Sequence, residues 1–231
     1  MLAVLLLGMD GTGLLFAEFT SKLKARSIIV SYPPDQSLGY RDLTHLVRSR
    51  LPKEEPFILL AESFSWPIAI SLAADPPPQL KALILVCTFA KLPVPPLASL
   101  LFQKLGALMP VWRAPMFLTA RVLLGRHRSA ATETLLQRAT GAVAPAIWRA
   151  RLKAALSVDE TRSLCRIRVP TLYLRASEDT VVFSSASEVI SSSVPRIKVV
   201  EIDGPHFLLQ AKPEESAAAV EAFAAEQGLA L

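Results

Sequence analysis

A chain of 231 residues, 52% hydrophobic and 19% charged, holds enough apolar material for one domain with a sizeable core, and is too apolar for a disordered segment. Its 25 Lys and Arg against 20 Asp and Glu leave a formal charge of +5. The two cysteines, Cys87 and Cys165, stand far apart with no metal-like spacing, which argues against a disulfide framework and predicts reduced, buried thiols. Along the chain, short runs of Val, Ile and Leu predict strands at residues 3–7, 27–31, 57–61, 82–87, 171–175 and 198–202. The first apolar run is too short for a membrane span and has no basic segment before it, so a buried strand and a cytoplasmic protein without a membrane partner are expected. Amphipathic stretches at 13–23, 40–51, 64–74, 183–193 and 213–226 predict helices between the strands. Pro213 suits a first helical turn, and Glu214 and Glu215 suit its positive end. The strand runs are nearly continuous rather than alternating, as parallel strands covered on both faces require. The fold class is therefore α/β: a three-layer sandwich around a mostly parallel sheet of about six strands.

Residues 91–168 break this rhythm. They carry no strand signal and read as several helices separated by Pro110, Pro115, Gly125, Gly141 and Pro145. The expected organisation is a core of residues 1–90 and 169–231 with 91–168 inserted as a helical cap, long enough to act as a lid. The insertion holds 13 Lys and Arg against Glu133, Asp159 and Glu160, so the basicity of the chain resides there. A solvated helical face is the plain reading, and attraction of an anionic or carrier-linked substrate is the sharper one. Nucleic acid is not an expected partner, since no stacking aromatics are interleaved with the basic residues. Trp112, Phe117 and Trp148 suit lid packing or the lining of an apolar pocket, as do Leu100, Leu101, Phe102 and Met116.

Ser63, in "LLAESFSW", stands just past the third strand, where open parallel sheets bind ligands. It is either a helix N-cap or a nucleophile, and a nucleophile needs a base. Of the three histidines, His45 falls within an amphipathic helix and His127 among arginines. His206 follows the last strand, on the same sheet edge as Ser63. An imidazole base needs an acceptor on its second nitrogen, and Glu178 or Asp179, after the fifth strand, offers one. Glu62, beside the serine, is expected to take no part in proton transfer, and Asp10 in "GMDGTG" reads as a turn former.

The chain order Ser63, acid, His206 is that of the α/β-hydrolases, which the chain resembles over essentially its full length. "AESFS" stands where the G-x-S-x-G elbow is expected, "LRASEDTVV" resembles the acid loop, "DGPHF" the histidine loop, and "LLGMDGTG" the glycine-bearing first loop. Ala61 and Ser65 replace both elbow glycines, Leu7 replaces the usual histidine, and the family's first strand pair is missing. The resemblance favours Asp179 over Glu178 and implies an oxyanion hole from the backbone N–H groups of Met9 and Phe64. It implies a serine hydrolase of small esters or thioesters, with neither cofactor nor metal. The same triad also serves acyltransferases and lyases, including menaquinone-pathway lyases that hold an anionic substrate under a basic cap. A catalytically silent binding member is the remaining alternative.

Overall fold

Among the described residues, six parallel strands form one sheet: β1 (Leu2–Leu6), β2 (Arg26–Val30), β3 (Phe57–Glu62), β4 (Leu80–Val86), β5 (Thr171–Ala176) and β6 (Ile197–Ile202), in the order β2-β1-β3-β4-β5-β6. The computed structural model describes residues 1–91 and 116–231. β1 and β3 are buried along their whole length, which their unbroken Leu, Val, Ile and Phe content demands. The edge strands depart from that expectation. β2 and β6 are largely half-buried or exposed, because each has a neighbour on one side only.

Right-handed crossovers place the helices. The chain steps from β1 to β2 in one direction across the sheet, and from β2 to β3, β3 to β4 and β5 to β6 in the other. Helix Ala17–Lys22 therefore covers one face, where it packs on helix Pro213–Glu226. Helices Tyr40–Arg50, Trp66–Ala74 and Ser184–Ser193 cover the opposite face. The helix Trp66–Ala74 is apolar all round and almost entirely buried, with a proline in its first turn where no backbone donor is lost. Among the described residues, no helix is long and apolar enough to cross a membrane.

Between β4 and β5 the described part of the insertion forms helices Met116–Leu124, Ala130–Gly141, Pro145–Ser157 and Thr161–Leu164. Lys91 and Asp159 pair at its base by an isolated antiparallel bridge and a 2.9 Å ion pair. Met116 packs beside the buried Ala120, Leu124 and Leu136 together with Phe207. Leu100, Leu101, Phe102 and Trp112 lie outside the described residues. Both cysteines are free, but only Cys87 is buried; Cys165 is exposed, its thiol turned to the Arg162 carbonyl. The expectation of two buried thiols is corrected there, because Cys165 follows the short surface helix Thr161–Leu164 rather than ending a core strand.

Candidate active site

The strand order reverses direction between β1 and β3, and the site is built at their carboxyl ends. β3 runs straight into a 3-10 turn, Ser63–Ser65, before the helix Trp66–Ala74 begins. At the corner, Ser63 has φ of 45°, a conformation an L-residue adopts only when its surroundings enforce it. The turn aims the hydroxyl outward. Ser63 Oγ lies 3.0 Å from His206 Nε2, and neither flanking helix start uses it as a cap. The nucleophile geometry is thus present, and the N-cap geometry is not.

His206 is 2% exposed, on the loop after β6. Its Nδ1 lies 2.9 and 3.0 Å from the two oxygens of Asp179, on the loop after β5. Asp179 Oδ1 also accepts the Val181 and Val182 N–H groups, each at 2.8 Å, which locks the carboxylate toward the ring. Glu178, the rival acid, turns away. Its carboxylate meets Arg126 at 2.8 Å and His127 Nε2 at 3.5 Å. The ring of His206 can therefore take a proton on Nε2 while Asp179 holds the proton on Nδ1.

Met9 lies on the loop after β1, the strand paired with β3, and Phe64 directly follows Ser63. Phe64 is fixed from two sides: its ring stacks on Tyr40 at 5.0 Å, and its carbonyl accepts the Tyr40 hydroxyl at 2.9 Å. The first loop closes through Gly11, at φ 65°, whose N–H donates to the Gly8 carbonyl at 3.2 Å. Asp10 is the turn former anticipated, its carboxylate accepting from the Thr12 N–H and hydroxyl.

Several residues around the site carried no signal of their own in the sequence. Ser65, in place of an elbow glycine, is fully buried, bonding the Leu7 carbonyl and the Tyr32 hydroxyl. Glu62 is also buried, and loss of water raises its carboxyl to about 8. It accepts from Gln210 at 3.2 Å, while one oxygen of each side chain lacks a partner among the described residues. Cys87 directly follows β4, at φ 48° beside Asp179, and burial pushes its thiol well up. Arg151, from the insertion, is 2% exposed and reaches three backbone carbonyls of the core. Burial also lowers the pKa of its guanidinium.

The inserted helices touch the first loop, the acid loop and the histidine loop. The Phe207 N–H, next to His206, donates to the Leu123 carbonyl at 2.9 Å, and the Thr180 hydroxyl, next to Asp179, donates to the Val122 carbonyl at 3.0 Å. Two clusters among the described residues bring metal-ligating types together: Cys87, Asp179 and His206, and His127, Glu178 and Asp203. In the first, Asp179 and His206 already bond each other; in the second, Arg126 ion-pairs with both carboxylates.

No curated protein matches the chain in sequence. Solved structures do match in fold. MenH from S. aureus superposes with a TM-score of 0.84 at 16% identity, covering 99% of this chain and 94% of that one. A bromoperoxidase from Bacillus anthracis gives 0.83 at 15%, covering 96% and 91%. An enol-lactonase from Burkholderia xenovorans LB400 gives 0.80 at 14%, covering 97% and 91%. At these identities the likeness is one of fold. Residues 33–204 match the family described as serine aminopeptidase, S33 (Hydrolase_4), and with that match the chain belongs to this family, as an enzyme of the α/β-hydrolase superfamily.

Proposed function

We propose that the protein is a serine hydrolase that cleaves a small carboxylic ester or thioester through an acyl-enzyme on Ser63. The observation that carries this reading is the relay of Ser63 Oγ, His206 and Asp179, spanning 3.0 and 2.9 Å, on a backbone turn with φ of 45°. Ser63 Oγ attacks the substrate carbonyl carbon as its proton passes to His206 Nε2, and the carbonyl π electrons become an oxyanion facing the N–H groups of Met9 and Phe64. The oxyanion collapses, the C–O or C–S bond breaks, and the leaving group takes the proton from His206. Water, deprotonated by His206, then attacks the acyl carbon and releases the acid and Ser63. In this reading the described part of the insertion, residues 116–168, acts as a cap.

The hydrolase reading is preferred to a lyase acting on an anionic substrate. Arg151, the one buried arginine of the described inserted helices, spends its donors on backbone carbonyls rather than on an open anion site. The test is incubation with a fluorophosphonate and identification of the modified residue by mass spectrometry. Labelling at Ser63, lost in His206→Ala, is expected. Turnover of an ester, thioester and aminoacyl amide panel by Ser63→Ala at the wild-type rate would sink the mechanism.

A further inference from the structure

The helix Pro145–Ser157 buries one stripe, and its residues four apart are Ile147, Arg151 and Ala155. A guanidinium in the middle of an apolar stripe needs partners, and Arg151 finds them in the core. Nη1 donates to the Met9 and Asp10 carbonyls, each at 2.8 Å, and Nη2 donates to the Pro33 carbonyl at 2.9 Å. Its Cζ stands 5.8 Å from the ring centroid of Tyr32. A Cβ at Gly11 would come within 2.9 Å of Nη1, so the loop is shaped around this side chain.

We propose that Arg151 is a positioning residue for the oxyanion hole, aiming the Met9 N–H from the insertion through two peptide planes joined by a hydrogen bond. The role rests on the serine hydrolase reading above. In a trans peptide the C=O and N–H point in opposite directions, so holding one end sets the other. Arg151 holds the Asp10 carbonyl, and the N–H of that same peptide belongs to Gly11. The Gly11 N–H donates to the Gly8 carbonyl at 3.2 Å, and the opposite end of the Gly8–Met9 peptide is the Met9 N–H. On the far side, Ser65 anchors the Leu7 carbonyl to the nucleophile elbow. The Gly8–Met9 peptide is therefore clamped between the elbow and a cap arginine. Release of the cap side frees it to rotate and to lose its alignment with a developing alkoxide.

The second-order rate of fluorophosphonate labelling at Ser63 reads this directly, because the phosphoryl oxygen occupies the oxyanion position without any knowledge of the natural substrate. Wild type, Arg151→Met and Arg151→Lys are compared per folded molecule, with folding checked by thermal melting. Arg151→Met keeps the apolar stem and is expected to label about tenfold to a hundredfold more slowly, a fraction of the loss of a whole oxyanion donor. Arg151→Lys, with one point charge, falls between the two. On any ester that wild type turns over, kcat falls while KM moves by less than about threefold, since the contact acts on the transition state. Labelling of Arg151→Met at the wild-type rate, with or without a lower melting temperature, overturns the role, as does a rise in KM alone, which would make Arg151 a substrate contact. Failure of the wild type to label overturns the serine hydrolase reading itself, and the role with it.

Discussion

Asp179 accepts from two backbone N–H groups and, across both its oxygens, from the single Nδ1–H of His206. Asp179→Asn keeps the shape but puts an amide where an acceptor is needed, so the imidazole is held in the wrong tautomer. The expected loss in kcat is on the order of 10³–10⁴, measured on any accepted ester. Ser65 gives a less intuitive expectation. Restoring the family's common glycine by Ser65→Gly removes the partner of the buried Tyr32 hydroxyl and of the Leu7 carbonyl. An unsatisfied buried polar group costs about 1–3 kcal/mol, so the glycine variant melts lower than wild type despite matching the motif better. Glu62 carries a pH signature. Folding keeps its carboxyl protonated to about 8, whereas the unfolded chain releases the proton near 4.5. The folded state then binds more protons between these values, and stability falls as pH rises through that window. Glu62→Gln removes the slope. Its melting temperature should match wild type near pH 4 and exceed it at about pH 9.

The loops, rather than the strands, are the elements on which activity depends. Gly11 sits at φ 65° with Tyr32 and Arg151 against the place of a side chain, so Gly11→Ala combines backbone strain with a steric clash. It should lower the melting temperature and slow phosphonate labelling together. The strands themselves were legible in the sequence to within a residue or two, because parallel strands buried on both faces must be continuously apolar. Helix Pro213–Glu226 was legible too, since its proline and two glutamates mark the start. The helix after Ser63 begins two residues later than its periodicity indicates, because the turn that exposes the hydroxyl is 3-10 and strained. Ser63, His206 and the acid loop could be read because each follows a strand run. Arg151 could not, since it is one of 13 basic residues in the insertion. Only its placement four residues from both Ile147 and Ala155 sets it apart.

Across the whole molecule the charge is divided, with a basic insertion joined to an acidic core. Arg126 bonds Glu178 at 2.8 Å and Asp203 at 3.0 Å, tying the insertion to the acid and histidine loops. These pairs are exposed, so each contributes little and salt screens them. Arg126→Gln should raise hydrogen exchange in helix Met116–Leu124 by no more than about fivefold. A larger rise would mean that the ion pairs, rather than the packing of Leu124 on Ala120 and Leu136, hold that helix down.

The Leu123 and Val122 carbonyls and the Arg151 side chain reach three of the loops around the proposed site, those of the histidine, the acid and Met9. The insertion is thus not an interchangeable accessory. An engineer who replaces these helices with those of another hydrolase, to change what the pocket accepts, also removes an acceptor beside the histidine, an acceptor beside the acid and the clamp on the first loop. A successful graft must rebuild those three attachments before its new pocket can be judged.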